Sequence, residues 1–504
     1  MRRFLANRYF AALLVVTAVA AEFGLASVSR PTALAGPRAP AAARATVSAA
    51  VRACPAPGSA GATASGIALA AASVGNGKAE VSRLSPAGTA AAPAPLHVLA
   101  QPGQLALVNV PVAPVLPRGA ARASNAAGTS VTTVPARGGV MIRASGSMAR
   151  GLEAEQTSAG GLATAQCQGP GTDFWFIGPG QRPVGDIRLY LMNTDSQAAD
   201  ASVQVLTDSG PVLGSTDSGI GVPPHGIVVQ SLAGLLKGSR VVSLNVTTSV
   251  GRVSAAVLET SNAADPGTWL PAAQAPATTQ VLPGLPGTPG TRELYVAVPG
   301  SGNAQLKVTA VTAKGSFQPT GGTGIDLPGG SAVAVALPSL GGIPAAIRIS
   351  SNVPVTASML AAGGAAGAPG AFTAASTPVQ EQGVIAGNPP GSGGATALVL
   401  SAPQAAAQVR VTELTMTGAP ASAAPQVVQL AAGHSEVVAL RPPRAAGRAT
   451  AFAIVVTPLA GSGPVYAGRV VSQNGVVRSI LPVPSSLTWV PLPVVRNSLA
   501  SARG

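Results

Sequence analysis

The chain contains three copies of the same succession of short apolar runs. The repeats begin near residues 186, 292 and 396, with DIRLYLMNT, RELYVAVP and TALVLSAP, so they start slightly more than 100 residues apart. Each opening is followed by a run in which apolar and polar residues alternate, such as ADASVQVLTDSG or AQVRVTELTMTG. Alternation with a period of two is typical of strands with one buried face. The repeats therefore predict one small antiparallel β-sandwich each.

Glycine and proline are spread so densely through the chain that long helices are disfavoured. The 504 residues include 61 glycines and 46 prolines, and both interrupt a window long enough for a helix. We expect an all-β protein of tandem immunoglobulin-like antiparallel β-sandwich modules after a signal segment and a low-complexity tether. Module 1 covers residues 181–271, module 2 covers 290–365 and module 3 covers 394–475. Pro-rich linkers separate them, and residues 476–504 form a C-terminal extension.

The N-terminus has the layout of an export signal. Arg2, Arg3 and Arg8 precede the apolar run FAALLVVTAVAA, and small residues follow it. This pattern predicts a signal peptide over residues 1–35, or a signal anchor if cleavage fails. The run is shorter than the roughly 20 residues that span a bilayer, which favours cleavage. We expect an exported protein, extracellular or associated with the cell envelope, and bound to the membrane only through an uncleaved N-terminal segment.

The two cysteines lie on either side of a change in composition. Residues 36–95 are dominated by Ala, Pro, Gly and Ser, which predicts a flexible segment. Short β-like runs follow and predict a small β unit over residues 96–180. In an exported protein, Cys54 and Cys167 are most simply one disulfide that links this unit to the flexible segment. The alternative of a redox or metal site lacks a C-x-x-C motif, and the three histidines are isolated in the sequence.

The charge of the chain favours a general attraction to anions. The formal net charge is +14, and nearly all of the basic residues are arginines scattered singly along the sequence. A nucleic-acid-binding surface would need basic residues clustered in a stripe or patch, so no specific nucleic acid is expected. An envelope protein or an anionic cell-wall polymer is the expected partner.

Motifs for catalysis are missing from the sequence. It contains no G-x-S-x-G, H-E-x-x-H, P-loop or Rossmann fingerprint. Glu153 and Glu155 lie in sequence that is typical of a loop, without a histidine or second carboxylate placed to share a proton. His225 and His434 each precede a VV-containing strand, which indicates a structural turn. We expect no catalytic residues, no cofactor and no metal, and an enzyme is the least favoured class.

The stretch CQGPGTDFWFIGPG holds three consecutive aromatic residues in a chain that is 3% aromatic. Neighbouring side chains on a strand point to opposite faces, so Phe174 and Phe176 are predicted to be buried together. Trp175, with the Asp173 carboxylate, stays open as a possible ligand contact on which a sugar ring could stack. Two non-catalytic functions follow: a structural or adaptor protein, or a glycan- or cell-wall-polymer-binding protein that uses Trp175.

Several motifs together resemble a known family. They are an early Cys-Pro, the motif from Cys167 to Gly178 around FWF, the LYLMNTD and GRVSAAV strands, and a late VYAGR strand. The chain resembles an actinobacterial family of exported proteins, domain of unknown function 5719. The similarity runs from about residue 50 to the C-terminus, and FWF is its most specific part. The resemblance implies an actinobacterial lineage and a role near the cell envelope, but no activity.

Overall fold

The computed structural model describes most of the chain, in two compact units. The described residues are 15–21, 44–55, 64–99, 102–111, 132–133, 138–157, 164–180, 185–212, 219–260, 267–337, 340, 342–363, 370–390, 394–416, 420–474 and 476–492. The main unit is Thr46–Trp489, and the remainder forms a terminal unit. The terminal unit includes a short helix over residues 15–21 and most of strand β1 (Arg44–Thr46). No helix among the described residues has the length and apolar character needed to cross a membrane. The rest of the predicted signal segment, 1–35, lies outside the described residues.

The main unit begins with a β-sandwich that we call the N-terminal module. The short strand β7 (Thr132–Thr133) pairs with a strand of the following module. The strands of the N-terminal module itself are β2 (Ala49–Cys54), β3 (Ala64–Ala71), β4 (Gly77–Leu84), β5 (Pro95–Leu99), β6 (Leu105–Pro111), β8 (Gly139–Gly146), β9 (Leu152–Thr157) and β10 (Thr164–Gln166). They form two antiparallel sheets of order β2-β8-β4-β5 and β10-β9-β3-β6. Buried side chains of both sheets, including Ile67, Leu69, Val81 and Ile142, share one core.

Modules 1 to 3 follow in chain order. Module 1 contains β11 (Asp173–Pro179), β12 (Asp186–Met192), β13 (Ala199–Thr207), β14 (Gly210–Pro211), β15 (Ile220–Val222), β16 (Ile227–Ser231), β17 (Val241–Val250), β18 (Ser254–Thr260) and β19 (Thr268–Leu270). Module 2 contains β20 (Ala277–Leu285), β21 (Gly290–Val298), β22 (Ala304–Thr312), β23 (Gly315–Phe317), β24 (Ile325–Leu327), β25 (Ser331–Ala336), β26 (Ala345–Gly363) and β27 (Gly370–Ala374). Module 3 contains β28 (Gln382–Asn388), β29 (Gly394–Ala402), β30 (Ala407–Thr415), β31 (Gln426–Leu430), β32 (His434–Leu440), β33 (Arg444–Ala445), β34 (Arg448–Ala449), β35 (Phe452–Pro458), β36 (Tyr466–Gln473), β37 (Val476–Pro482) and β38 (Ser485–Ser486). A last strand, β39 (Trp489–Pro491), pairs with β1.

The four modules share one strand plan. With eight strand positions numbered along each module, one sheet has the order 1-6-3-4 and the other has the order 8-7-2-5. We call these the first and second sheets. In modules 1 and 2, two short strands share position 4, and in module 2 the long strand β26 supplies both positions 6 and 7. The N-terminal module follows the same order, so it is a fourth copy of the repeat.

The alternation read from the sequence sets which face of each strand is buried. In β22, the side chains of Ala304, Leu306 and Val308 are buried, whereas those of Gln305 and Lys307 between them are exposed. A shift of pairing by one residue would turn the apolar side chains to solvent and bury the charge of Lys307, so the pattern fixes the register.

The eight sheets form a closed ring, because the first sheet of each module packs on the second sheet of the next. Four seams result, which we call the N–1, 1–2, 2–3 and closing seams. At the N–1 seam, Met141 packs with Met192, and at the 1–2 seam, Tyr295 and Phe372 pack on module 1. At the 2–3 seam, Val311 packs with Tyr466, and at the closing seam, Ala68 packs with Ala386. The closing seam joins the first sheet of module 3 to the second sheet of the N-terminal module. Four-stranded sheets stacked face to face around a circle are typical of a β-propeller, although there each sheet uses consecutive strands.

The all-β prediction is confirmed, but the immunoglobulin-like strand order is not. In the immunoglobulin plan, strands one, two, four and five share a sheet. Here strands one and four lie in the sheet opposite strands two and five. Each module also has eight strand positions, one more than the seven strands of the constant-type immunoglobulin plan.

The prediction of a flexible segment over residues 36–95 is corrected by the structure, which places β2, β3 and β4 there. Their small residues suit sheets that approach closely, so an alanine-rich composition does not here mean a lack of core. The expected linkers likewise hold the first strands of modules 2 and 3, β20 and β28. The expected extension 476–504 holds β37, which occupies strand position 8 of module 3, and β38.

Candidate functional site

The predicted disulfide between Cys54 and Cys167 is confirmed. Cys54 ends β2 and Cys167 directly follows β10, and both are buried in the core of the N-terminal module. The bond joins strand positions 1 and 8 of the same module, across a sequence separation of 113 residues. It therefore closes one sandwich instead of attaching a flexible segment to a separate unit.

The aromatic triplet is the first strand of module 1, β11. Phe176 is buried in the module core, and Phe174 packs against that core while half-buried. Trp175 lies on the opposite face of the strand and is 7% exposed, and its indole Nε1 has no hydrogen-bond partner. Asp173 is exposed and accepts a hydrogen bond from Asn245 Nδ2 at 2.6 Å. No open indole face remains for a sugar ring. The structure therefore gives no support to a ligand contact at Trp175 and Asp173.

His225 lies in a tight turn at the N–1 seam, as the sequence predicts for a structural turn. Its φ of 45° is in the left-handed region, and its side chain is 2% exposed. The ring nitrogens contact the carbonyl oxygen of Thr89 at 3.1 Å through Nδ1 and Arg143 Nη2 at 2.9 Å through Nε2. An arginine can only donate, so Nε2 accepts and Nδ1–H donates. Both capacities of the imidazole are thus used to join two modules.

A buried ion pair lies at the closing seam. Glu155 on β9 and Arg469 on β36 form a bidentate pair with N–O distances of 2.9 and 2.6 Å. Their side chains are 2% and 0% exposed. Burying two charges costs several kcal/mol of hydration for each, on the order of what a well-aligned pair recovers. The pair therefore favours one arrangement of the two modules more than it adds stability.

Glycine at position 387 allows this pair to form. The Gly387 amide donates to Glu155 Oε2 at 3.0 Å, and its carbonyl oxygen accepts from Arg469 Nη1. A Cβ atom at this position would lie 2.9 Å from the carboxyl carbon of Glu155. A side chain here would push the carboxylate away from the guanidinium, so the contact requires glycine.

A second buried carboxylate lies two residues before Glu155 on β9. Glu153 accepts hydrogen bonds from Arg52 Nη2 at 2.8 Å and from the Ser486 hydroxyl at 3.0 Å. Burial by itself would lower the pKa of Arg52, but the charge and hydrogen bond of Glu153 outweigh it and the pKa is raised. The sequence assigned Glu153 and Glu155 to a loop, whereas both lie on a strand and are paired with arginines.

A cavity of about 230 Å³ opens beside the ion pair. Its polar lining comes from both modules: Thr157, Thr164, Asn388, Arg469, Arg478 and Ser479. Its apolar lining includes Ala68, Leu107, Pro389 and Val471. Three buried lining atoms have no hydrogen-bond partner, namely Arg469 Nε, Arg478 Nε and Asn388 Oδ1. The cavity thus combines unused donors, an unused acceptor and an apolar wall, and it is the candidate site.

Comparison with known proteins identifies the family. A family model described as "Family of unknown function (DUF5719)" matches residues 120–441. The chain belongs to the DUF5719 family. No curated protein and no solved structure matches it. In this DUF5719 protein, the match includes Glu155 and Asn388, and it ends before Arg469 and Arg478. No group of three or more His, Cys, Asp or Glu residues suited to a metal ion occurs within the part of the chain that the structure describes.

Sequence reasoning missed both partners of the buried pair in this DUF5719 protein. A signal was present at one partner, because Arg469 interrupts the apolar strand VYAGRVV, whereas Glu155 occupies a regular polar position of the alternating run LEAEQ. Charged residues are almost never fully buried without a partner. The interruption at Arg469 could have indicated a buried ion pair, but a single sequence does not show that residues 314 apart are neighbours.

Proposed function

We propose that this DUF5719 protein is a non-catalytic, exported scaffold of the actinobacterial cell envelope. Its ring binds a partner protein along the outer edges of its sheets. The export signal of the sequence supports the compartment, and the family resemblance supports the lineage. The structural support comes from the outer strands of module 3.

The strands at the outer edge of module 3 are open and partly apolar. β31 and β32 each end a sheet, and among the described strands none pairs beyond them. Val427 on β31 is 52% exposed, and Val437 on β32 is 42% exposed. In module 1, by contrast, the outer edge of β16 is covered by β7. An open edge offers backbone hydrogen bonds to an extended segment of a partner, and apolar side chains add contact area. The edge of module 3 is therefore the observation that carries the proposal.

Site-specific crosslinking in intact cells tests this function. A photo-crosslinking amino acid replaces the exposed Gln429 on β31 in the full-length protein, and the captured species is identified by mass spectrometry. The matched control carries the same amino acid in place of Val250, which is 59% exposed on module 1. We expect one dominant envelope protein to be captured from position 429 and not from position 250.

A second crosslinking experiment places charge on the edge strands of module 3. Val427→Lys combined with Val437→Lys places two lysines on the open strands, which discourages strand pairing. Capture from position 429 is expected to fall in this variant and to persist in Val250→Lys. Capture that is the same from both positions, or that survives both edge lysines, would contradict an adaptor that uses this edge. Cell fractionation checks the compartment, and a cytoplasmic protein would overturn the envelope assignment.

A further inference from the structure

We propose that the closing-seam cavity binds a small organic carboxylate whose body is compact and apolar. This inference is independent of the partner-binding edge, because the cavity lies between module 3 and the N-terminal module. It rests on the charge, the unused polar atoms and the size of the cavity.

The charge of the cavity is unbalanced. Glu155 is bonded to Arg469 and so offsets one of the two lining guanidinium groups. Arg478 has neither an ion pair nor a hydrogen bond with any residue that the structure describes, and its Nε atom is buried. Arg478 as a whole is half-buried, and a buried donor atom without a hydrogen-bond partner is costly. An anion beside Arg478 would remove that cost, because charge-assisted bonds to guanidinium are among the strongest hydrogen bonds in proteins.

The remaining lining favours a carboxylate over a bare inorganic anion. The apolar wall from Ala68, Leu107, Pro389 and Val471 faces the same space as the arginines. An apolar cavity of about 150 Å³ holds a benzene ring, so about 230 Å³ accommodates a ring with a carboxylate attached. Asn388 is 1% exposed and its Oδ1 atom has no donor. A donor group on the far side of the ring would satisfy this oxygen.

Occupancy of the cavity would stabilise the closed ring. The lining residues Ala68 and Thr157 belong to the N-terminal module, whereas Asn388 and Arg478 belong to module 3. A ligand that contacts both modules binds the closed seam and not the open one. Ligand binding therefore raises the free energy of unfolding, and the increase grows with the logarithm of the ratio of ligand concentration to dissociation constant.

The chain offers a substitution that fills the cavity without disturbing its charges. Gly66 on β3 lines the cavity, and a Cβ atom added there meets no atom within 4 Å. Gly66 pairs with Thr157, another lining residue, so the two positions share a face of the sheet. Valine suits a strand, so Gly66→Val is expected to fold and to occupy the space of the apolar body.

The binding test uses three matched probes on the full-length protein. Benzoate carries the carboxylate and the ring, benzamide replaces the carboxylate by a neutral amide, and 4-aminobenzoate adds a donor opposite the carboxylate. Binding is measured by isothermal titration calorimetry and by the rise in Tm. We expect both carboxylates to bind with the aminobenzoate tighter, and benzamide to bind at least tenfold more weakly. Inorganic phosphate, which lacks an apolar body, is also expected to bind at least tenfold more weakly.

Variants assign the binding to the cavity. Arg478→Met is expected to weaken benzoate binding at least tenfold, and Gly66→Val is expected to abolish it. Arg410→Met removes the same charge from an exposed position on β30 and is expected to leave binding unchanged. The proposal is overturned if neither carboxylate binds, if benzamide or phosphate binds as well as benzoate, or if binding survives Arg478→Met and Gly66→Val. Circular dichroism confirms that each variant is folded before binding is measured.

Discussion

The N–1 seam and the closing seam join the N-terminal module to its two neighbours by different physical means. At the N–1 seam, large apolar side chains pack together, among them Met141, Tyr190 and Met192. At the closing seam, the apolar contact consists mainly of alanines and valines, and the Glu155–Arg469 pair is buried beside it. Apolar burial is roughly proportional to area and has no direction. A bidentate ion pair stabilises one alignment, because a shift leaves two buried charges apart.

The two seams differ in how much the chain connection already limits the alignment of the modules that they join. The N–1 seam joins modules that are consecutive in the chain, so the short connection between them already limits their alignment. The partners of the closing pair are separated by 314 residues, and no connection aligns them. Hydrogen bonds such as those of His225 also align the N–1 seam, but the fully buried bidentate ion pair occurs where the chain itself gives least guidance.

Removal of the guanidinium should have the largest effect on the closing seam. Arg469→Met leaves the Glu155 carboxylate buried without a partner, and we expect a loss of about 3–5 kcal/mol in the free energy of unfolding. Chemical denaturation followed by tryptophan fluorescence measures it. Arg410→Met, at an exposed position, is the control. The double variant Glu155→Gln with Arg469→Met should recover part of the loss, and a single-variant loss below about 1 kcal/mol would contradict a buried pair.

A conservative change should still be costly at this seam. Arg469→Lys keeps the charge but cannot bond both carboxylate oxygens and the Gly387 carbonyl in the same geometry. We expect a loss of about 1.5–3 kcal/mol, the range for hydrogen bonds to charged groups. Denaturation of Arg469→Lys, of Glu155→Gln and of the double variant gives the coupling energy. A lysine that restores full stability would show that charge suffices and alignment does not matter.

The corresponding conservative change at the N–1 seam should cost less. Met141 is 1% exposed among apolar side chains, and Met141→Leu nearly conserves its volume. Such exchanges cost less than about 1.5 kcal/mol in most cores. If thermal denaturation showed a loss as large as that of Arg469→Lys, the two seams would not differ in the way we describe.

The smallest effect is expected for an ion pair on the surface. Arg240 and Asp208 are 3.3 Å apart, but the Arg240 side chain is 87% exposed. Burial alone would raise the pKa of Asp208, but hydrogen bonds from the Arg240 amide and guanidinium lower it below its ordinary 3.8. The pair thus stabilises the fold above that pH and loses its effect as the pH falls further. Asp208→Asn should cost less than about 1 kcal/mol at pH 7, with the difference from the unmodified protein vanishing in denaturation series below pH 3.8.

Much of the fold was predictable because strand alternation is a local property. The three repeats that start near residues 186, 292 and 396, and the disulfide, follow from patterns visible in the sequence. The first part of the N-terminal module was missed, although the small β unit predicted over residues 96–180 holds β6, β8, β9 and β10. The strands β2 and β3 are rich in alanine, which gives a weak contrast between buried and exposed positions. GIALAAASVGNGKAEVSRL does follow the layout of strand positions 2 and 3, and that order of strands was the signal for a fourth copy.

The candidate site could not be predicted from the sequence. Its lining residues come from β3, β6, β9 and β10 of the N-terminal module and from β28, β36 and β37 of module 3, at opposite ends of the chain. Nothing local marks them as neighbours, because their proximity depends on ring closure. At the aromatic triplet, the unusual local composition left Trp175 open as a possible ligand contact, and the structure buries its side chain to 7% exposure.

The separation of Glu155 and Arg469 along the chain also sets an order in time. During synthesis the N-terminal module emerges first and domains fold largely as units, so the N–1 and 1–2 seams can form before β36 exists. Until then, the face of β9 that carries Glu153 and Glu155 remains in contact with water. A charged group is costly to remove from water without a partner. Two carboxylates that are buried in the finished ring therefore give the open face of the N-terminal module a charged surface until module 3 covers it.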